Sequence, residues 1–245
     1  MYTSDYLFFM LALVACMIFS GIVSRKVHTS FSRYNQFRAS SGMTGSDTVR
    51  ALMAANGVYG ISIGHVSGEL TDHYHPTKSI VNLSDSTYGS SSVAAVAVAA
   101  HEVGHVMQRQ RGYFLYQIRS ALVPVVNLVS RLAMPLVLVG LLLDYLALTA
   151  DPELGFYIAM IGVLFYGGSL LFALVTLPVE LDASRRASQM LLSEGILTQE
   201  EMYGAKKVLS AAALTYLASL LTALVSFLRF LFYVLALFGR RDNRR

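Results

Sequence analysis

The sequence predicts a mainly α-helical protein of the α+β class that is integral to a membrane, with about three transmembrane helices and one small antiparallel sheet. Of its 245 residues, 55% are hydrophobic and 14% are charged, whereas about 25% are charged in an ordinary soluble domain. The hydrophobic residues form long uncharged runs, and the segment after the first run contains short alternating stretches typical of β-strands. One globular core could not bury this much apolar surface, so the lipid bilayer is the expected environment of much of the chain.

The first apolar run, residues 6–23, is predicted to be a transmembrane anchor. At about 1.5 Å per helical residue it can cross most of a hydrocarbon layer about 30 Å thick. A signal peptide would carry basic residues before its apolar core, whereas here Asp5 precedes the run and Arg25 and Lys26 follow it. Cys16, the only cysteine, lies inside this run, which excludes an intrachain disulfide and a metal site built from thiolates.

Residues 24–131 are mixed in character and are predicted to form a compact region on one side of the membrane. Ser46 and Asp47 precede an apolar-periodic run that ends at Asn56, the pattern of a short capped helix. Ser91 or Ser92 then begins an alanine- and valine-rich helix that extends from residue 93 to about 109. Between the two helices, three short stretches are predicted to be the strands of the antiparallel sheet: residues 61–66, 70–74 and 79–83.

Two further apolar runs, residues 132–148 and 154–177, are predicted to form a transmembrane hairpin. The short acidic sequence Asp151-Pro-Glu153 joins them. The basic residues at 25–38, 119, 131, 185 and 186 would then all lie on one side of the membrane and the acidic turn on the other. Because cytoplasmic loops are enriched in Lys and Arg, residues 24–131 and the chain from 178 onwards are expected on the cytoplasmic side.

The sequence predicts the structure of the last third of the chain less completely. Residues 178–207 are predicted to be helical, whereas residues 208–238 are apolar but contain Arg229 and precede the basic tail, residues 239–245. A single crossing would place this tail opposite the other basic segments, so a re-entrant hairpin, an interfacial helix and a core helix of the cytoplasmic region stay open as alternatives. The net charge of +4 lies mostly beside apolar runs, which indicates membrane orientation and no nucleic-acid partner.

The predicted alanine-rich helix carries the motif His101-Glu-Val-Gly-His105. Residues four apart on a helix share one face, so the two histidines can direct their imidazoles at one metal ion. Glu102 lies about 100° further round the helix and could reach a water on that metal without binding the metal itself. Zinc lowers the pKa of such a water to roughly 7, and the carboxylate can take its proton. The motif therefore predicts a zinc peptidase with one Zn²⁺ per chain, bound by His101 and His105, and with Glu102 as the catalytic base.

A catalytic zinc usually has three protein ligands, so one more is expected. Gln108 and Arg111 stand where the longer metzincin motif requires Gly and His, which excludes that pattern. Glu180 is the preferred candidate because it directly follows the third apolar run and returns to the side of the motif, and Asp182 is the alternative. His73 could also bind metal, although a hydrogen-bonding or solvated role is favoured.

These motifs resemble those of the neutral zinc metallopeptidases of bacterial membranes, the YugP-like group. The resembling segments are residues 41–45, 70–74, 93–108, 119–124 and 177–186. The resemblance implies a multi-pass protein of the bacterial cell membrane with a gluzincin-like, more broadly zincin-like, catalytic region. The group is distantly similar to the HtpX and prenyl-protein peptidases, in which a later Glu-x-x-Ala-Asp segment accompanies the zinc motif. Glu180 and Ala183 fit that segment, but Ser184 replaces its Asp, so the carboxylate that would orient a zinc-binding histidine is Asp182 or is absent.

The expected function is that of a zinc-dependent endopeptidase that cleaves proteins or peptides at or near the cytoplasmic face of the membrane. A strand edge in the small sheet would accommodate an extended substrate. The alternative is a catalytically inactive zinc-binding scaffold or regulator. A transporter is disfavoured because the three apolar runs lack a row of polar groups. The sequence leaves the substrate and the oligomeric state open.

Overall fold

The computed structural model describes residues 2–146 and 153–242. Within them the chain is mainly helical with one three-stranded sheet, as predicted. The helices are α1 (Tyr2–Tyr34), α2 (Gly45–Ala55), α3 (Val93–Gln110), α4 (Phe114–Tyr145), α5 (Leu154–Ser193) and α6 (Glu201–Asp242), and the strands are β1 (Ser62–Val66), β2 (His73–His75) and β3 (Ile80–Ser84). Asp151 and Pro152 of the predicted acidic turn, and the last three residues of the basic tail, lie outside the described residues.

Four helices of the described chain are long and apolar enough to cross a membrane, whereas the sequence predicted about three: α1, α4, α5 and α6. The additional candidate is α6. Residues 208–238, whose structure the sequence left undecided, belong to this one continuous helix. A re-entrant hairpin requires a turn within that segment, so the structure excludes this alternative.

The chain divides into two compact units, each of which contains parts of α1, α5 and α6. The first unit comprises residues 1–20, 118–176 and 217–245. In it α4 and α5 pack backbone against backbone: a Cβ added to Gly140 would lie 2.5 Å from the nitrogen of Ala159, and one added to Gly162 would lie 2.7 Å from the oxygen of Ala133. Small residues that allow such close approach are typical of helix pairs in membranes, as expected for the predicted hairpin.

The second unit comprises residues 21–117 and 177–216, and α3 lies at its centre. Ser92 begins α3, as predicted, and its hydroxyl accepts a hydrogen bond of 3.1 Å from the N–H of Ala95. The alanine-rich first half of the helix is buried, so neighbouring elements can approach it on several faces. Thr44 caps α2, two residues before the predicted start, and forms a reciprocal capping box with Asp47.

The sheet is mixed, so the prediction of an antiparallel sheet is wrong. Strand β3 lies in the middle, antiparallel to β2 and parallel to β1. A tight turn joins β2 to β3, whereas residues 67–79 separate β1 from β3 and provide the longer connection that parallel strands require. Leu70 has a φ of +57°, which a strand does not accommodate, and the predicted strand 70–74 is therefore reduced to β2.

Candidate metal centre

Helix α3 directs two imidazoles at one carboxylate oxygen of α5. The rings of His101 and His105 have centroids 4.8 Å apart. Their Nε2 atoms lie 3.2 Å and 3.4 Å, respectively, from Oε2 of Glu180. The side chains are 15%, 10% and 2% exposed, in the order His101, His105 and Glu180. The structure therefore brings together the three residues that the sequence singled out as metal ligands.

A glycine inside the motif allows α5 to come this close. A Cβ added to Gly104 would lie 2.5 Å from the backbone oxygen of Ala183, so the α3 and α5 backbones are in contact at this point. Gly104 lies between His101 and His105 on α3, and Ala183 lies one turn after Glu180 on α5. This close packing at Gly104 brings the three side chains near one another.

The donor atoms fit a zinc ion. Two imidazole nitrogens and one carboxylate oxygen lie within 4.8 Å of one another, and zinc prefers nitrogen and oxygen donors of this kind. Donor atoms about 2.1 Å from one tetrahedral zinc are about 3.4 Å apart. The measured distances of 3.2 Å and 3.4 Å are close to that value. That these residues bind zinc stays a prediction, and the spacing supports it.

A buried glutamine fixes the orientation of His105. The amide nitrogen of Gln108 donates to the backbone oxygen of Val179 at 2.7 Å and to Oδ2 of Asp182 at 3.0 Å. Its amide oxygen therefore faces Nδ1 of His105, at 3.0 Å. Because an amide oxygen can only accept, Nδ1 of His105 carries the proton and Nε2 has its lone pair available for a metal.

Ser184 contacts the other histidine of the motif. Its hydroxyl lies 3.1 Å from Nδ1 of His101 and can donate to that nitrogen or accept from it. Asp182 lies outside the donor group, and Gln108 links its carboxylate to His105. Its carboxylate also accepts hydrogen bonds from Arg185 and Arg186.

Glu102 is buried beside the donor group. Burial raises the pKa of its carboxyl to about 7. The nearby carboxylates of Glu180 and Asp72 also raise it, whereas His101 and a hydrogen bond from the backbone N–H of Tyr74 lower it. A carboxyl with a pKa near neutrality can both take and return a proton at physiological pH.

The structure does not bring His73 to the donor group. Its Nδ1 lies 2.9 Å from the backbone oxygen of Thr71, and its Nε2 lies 3.0 Å from the side-chain nitrogen of Asn82. Both ring nitrogens thus have hydrogen-bond partners in and around the sheet.

The sequence did not predict the contacts that hold β2 against α3. The guanidinium of Arg109 donates to the hydroxyl of Tyr74 at 3.1 Å and also to the backbone oxygen of Pro76. These contacts keep the Tyr74 N–H in place beside Glu102. No local pattern links residues 74 and 109, whereas Gln108 had a local signal: a buried polar residue three positions after His105, on the same helix face.

Two histidines one helical turn apart, a glutamate from a second helix and a buried acid beside them are the side chains from which zinc peptidase sites are built. The chain belongs to the family described as "Putative neutral zinc metallopeptidase", whose model matches residues 9–235. A similar curated protein is "Putative membrane protease YugP" of Bacillus subtilis (strain 168), 40% identical over 235 residues, which are 96% of this chain and 99% of that protein. No solved structure matches significantly. The relative's name and the four apolar helices together support a membrane protein.

Proposed function

We propose that this protein is a membrane-embedded, zinc-dependent endopeptidase that cleaves proteins at or near the cytoplasmic face of the membrane. The main support for the proposal is the buried donor group of His101, His105 and Glu180, with Glu102 beside it. These three donors would hold the zinc. When bound there, zinc would activate a water molecule and polarise the carbonyl of the peptide bond to be cleaved.

Glu102 is the proposed general base and acid. Its carboxylate takes the proton of the attacking water and then delivers that proton to the leaving amine. The backbone N–H of Tyr74 binds this carboxylate and restricts its orientation. Burial keeps its pKa near 7, so the protonated and deprotonated forms are close in free energy and both steps are accessible at neutral pH.

The substrate is proposed to bind in an extended conformation along β2. This strand lies at the edge of the sheet, because the strand order is β1-β3-β2, and its Tyr74 N–H contacts Glu102. An extended peptide can add to a sheet edge through main-chain hydrogen bonds. Such binding would recognise unfolded or flexible segments of proteins, which suits an endopeptidase.

The test is cleavage of casein and of an unfolded membrane protein by the purified protein in detergent. Removal of a general base typically costs 10²- to 10⁴-fold in rate, so Glu102→Gln should lose activity by roughly that factor while it keeps its zinc. Glu194→Gln, a change at an exposed glutamate after α5, is the matched control and should keep full activity. Unchanged cleavage by Glu102→Gln would refute the mechanism.

A metal measurement separates this proposal from the inactive scaffold. Single replacements of His101, His105 and Glu180 by alanine should each release zinc, measured by inductively coupled plasma mass spectrometry. A wild-type protein that binds zinc through these residues yet cleaves none of the test proteins would favour the scaffold or regulator.

A further inference from the structure

A cavity of about 190 Å³ in the second unit adjoins the proposed active site. Its lining includes His101, Glu102 and Glu180. Other lining residues belong to α3 and α6, and a group that enters the cavity therefore lies beside the proposed reacting centre.

Most of the other lining residues are apolar, and they are mainly small or branched aliphatic side chains: Val27, Leu70, Val98, Val208, Leu209, Ala212 and Ala213. Ser184, Thr215 and Tyr216 add hydroxyl groups to the wall. Asp72 also lines the cavity, but its two oxygens accept hydrogen bonds from Ser84 and Thr87. An anionic group in the cavity would lose its hydration beside the carboxylates of Asp72, Glu102 and Glu180, which is strongly unfavourable. The aliphatic majority of the lining favours an apolar group.

The volume limits the size of that group. A water molecule takes up about 30 Å³ in the liquid, so the cavity has room for about six non-hydrogen atoms. Sites for whole small molecules usually begin near 300 Å³, so this cavity suits one side chain and not a whole ligand. A leucine side chain has four non-hydrogen atoms, and a phenylalanine side chain has seven.

We infer that the cavity binds an aliphatic side chain of about leucine size next to the peptide bond that is cleaved, and that Ala212 and Ala213 of α6 set this size limit. The inference rests on the proposed peptidase function and names its substrate class: segments that carry leucine or a similar aliphatic residue at the cleavage position. Both alanines are partly exposed within the second unit, so a larger side chain at either position extends into the cavity.

Two opposite substitutions of Ala213 test the size limit. Ala213→Leu adds three carbons, or roughly 90 Å³ at about 30 Å³ per atom, and fills nearly half of the cavity. Ala213→Gly enlarges it. One extra or missing methylene in an apolar pocket changes specificity by about 10- to 200-fold. We expect Ala213→Leu to lower kcat/KM for leucine-containing peptides at least tenfold relative to alanine-containing ones, and Ala213→Gly to raise the relative rate for phenylalanine.

Mass spectrometry measures the relative rates at which each variant cleaves a mixture of peptides that differ only at one position. Zinc content and helicity confirm that each variant is folded. If Ala213→Leu does not fold, Ala212→Leu and Ala213→Gly provide the same comparison. The inference is overturned if the wild type cleaves peptides without an aliphatic preference, or if the folded variants keep the wild-type preference.

Binding measurements distinguish failure of this inference from failure of the proposed function. Fluorescence anisotropy reports the binding of labelled leucine and glycine peptides to Glu102→Gln, whether or not hydrolysis occurs. A leucine preference that Ala213→Leu abolishes would support the cavity as a binding site even if no cleavage is found. Equal binding of the two peptides would overturn the inference. It would not affect the peptidase proposal, which the cleavage assay with Glu102→Gln tests separately.

Discussion

The candidate metal centre also involves residues outside the three donors, and Gln108 is the clearest of them. It is fully buried and holds Nδ1 of His105 in the protonated form. The loss of such a partner of a metal-binding histidine typically weakens metal binding 10- to 100-fold. We expect Gln108→Leu to lower zinc affinity by about that factor, measured by competition with a chelator. Gln110→Leu, an exposed change on the same helix, is the control, and equal affinities in the two variants would contradict the proposed role.

Arg109 is predicted to act as a positioning residue for Glu102 through β2. Its guanidinium binds Tyr74 and the backbone of Pro76, and the Tyr74 N–H binds Glu102. A displacement of about 1 Å can cost up to 10²-fold in rate, so Arg109→Gln should lower kcat about tenfold or more. Zinc content should stay unchanged, and KM should change less than kcat.

Arg111→Gln, at the exposed end of the same helix, serves as the comparison for Arg109→Gln. Loss of zinc in Arg109→Gln would show a general structural defect. A kcat equal to that of Arg111→Gln would remove the positioning role altogether.

Whether the sequence predicted a residue of the site depended on how far that residue lies in the sequence from the residues it contacts. His101, Glu102 and His105 are local on one helix, so their spacing alone defined them. Glu180 is distant in the sequence, and it could be proposed because a hairpin that crosses the membrane twice returns the chain to its starting side. The contact between Tyr74 and Glu102 depends on how β2 packs against α3, which no spacing in the sequence encodes.

At the scale of secondary-structure elements, the contact between α3 and α5 is the most sensitive point. In Gly104→Ala the added Cβ would lie 2.5 Å from the oxygen of Ala183, so the helices must separate and Glu180 must move away from the histidines. Overpacking of this kind typically costs about 1–3 kcal/mol. We expect a lower thermal midpoint in detergent together with weaker zinc binding.

Gly21→Ala provides the contrast to Gly104→Ala. A Cβ at Gly21 meets no atom within 4 Å in the described structure, and alanine is up to about 1 kcal/mol more favourable than glycine inside a helix. Gly21→Ala should therefore be neutral or stabilising. A Gly104→Ala variant that binds zinc as tightly as Gly21→Ala would refute the proposed role of the close contact.

The capping box of α2 predicts a pH-dependent contribution to stability. The Thr44 hydroxyl and N–H both donate to the Asp47 carboxylate, and these hydrogen bonds, the hydroxyl's first, lower the pKa of Asp47. Loss of a cap typically costs about 1 kcal/mol, so Thr44→Ala should lower the free energy of unfolding by that amount at neutral pH.

The sign of the pH dependence follows from the lowered pKa. The charged carboxylate stabilises the folded state fully above the unfolded pKa of about 3.9, and this stabilisation is lost as the pH falls through the lower folded pKa. The stability difference between wild type and Thr44→Ala should therefore narrow in acid, measured by thermal unfolding in detergent at several pH values. Asp47→Asn should remove the pH-dependent part of this stability difference. A stability difference that widens in acid would contradict the proposed role of the Asp47 carboxylate.

The positions of α2 and α3 were easier to predict than the pairing of the strands because helix signals are local. Caps and apolar runs placed α2 and α3 to within about two residues. Strand pairing depends on which segment lies beside which, and the parallel pairing of β1 with β3 arises from a connection that itself contains β2. Alternation of side chains predicts strands but not their order or direction.

At the scale of the whole molecule, the proposed orientation makes a prediction about access from each side of the membrane. Tyr59 is 81% exposed and belongs to the region expected in the cytoplasm, whereas Glu153 is the last residue of the acidic turn expected outside. With Cys16 replaced by serine, a cysteine at position 59 should react with an impermeant reagent only in inverted vesicles. A cysteine at position 153 should react in intact cells, and the reverse pattern would overturn the cytoplasmic assignment.

The end of α6 decides between three and four crossings. Within the first unit the rings of Tyr6 and Tyr233 stack with centroids 6.1 Å apart, so the last part of α6 lies beside the beginning of α1. The beginning of α1 is expected outside because Arg25 and Lys26 follow its apolar run. The last part of α6 should then lie outside as well, although the positive-inside tendency alone would keep the basic tail in the cytoplasm. Alkaline phosphatase fused after Arg245, which is active only outside the cytoplasm, should be active, and green fluorescent protein at the same position should stay dark. A fluorescent C-terminal fusion would show that α6 does not cross and that its apolar surface is covered on the cytoplasmic side.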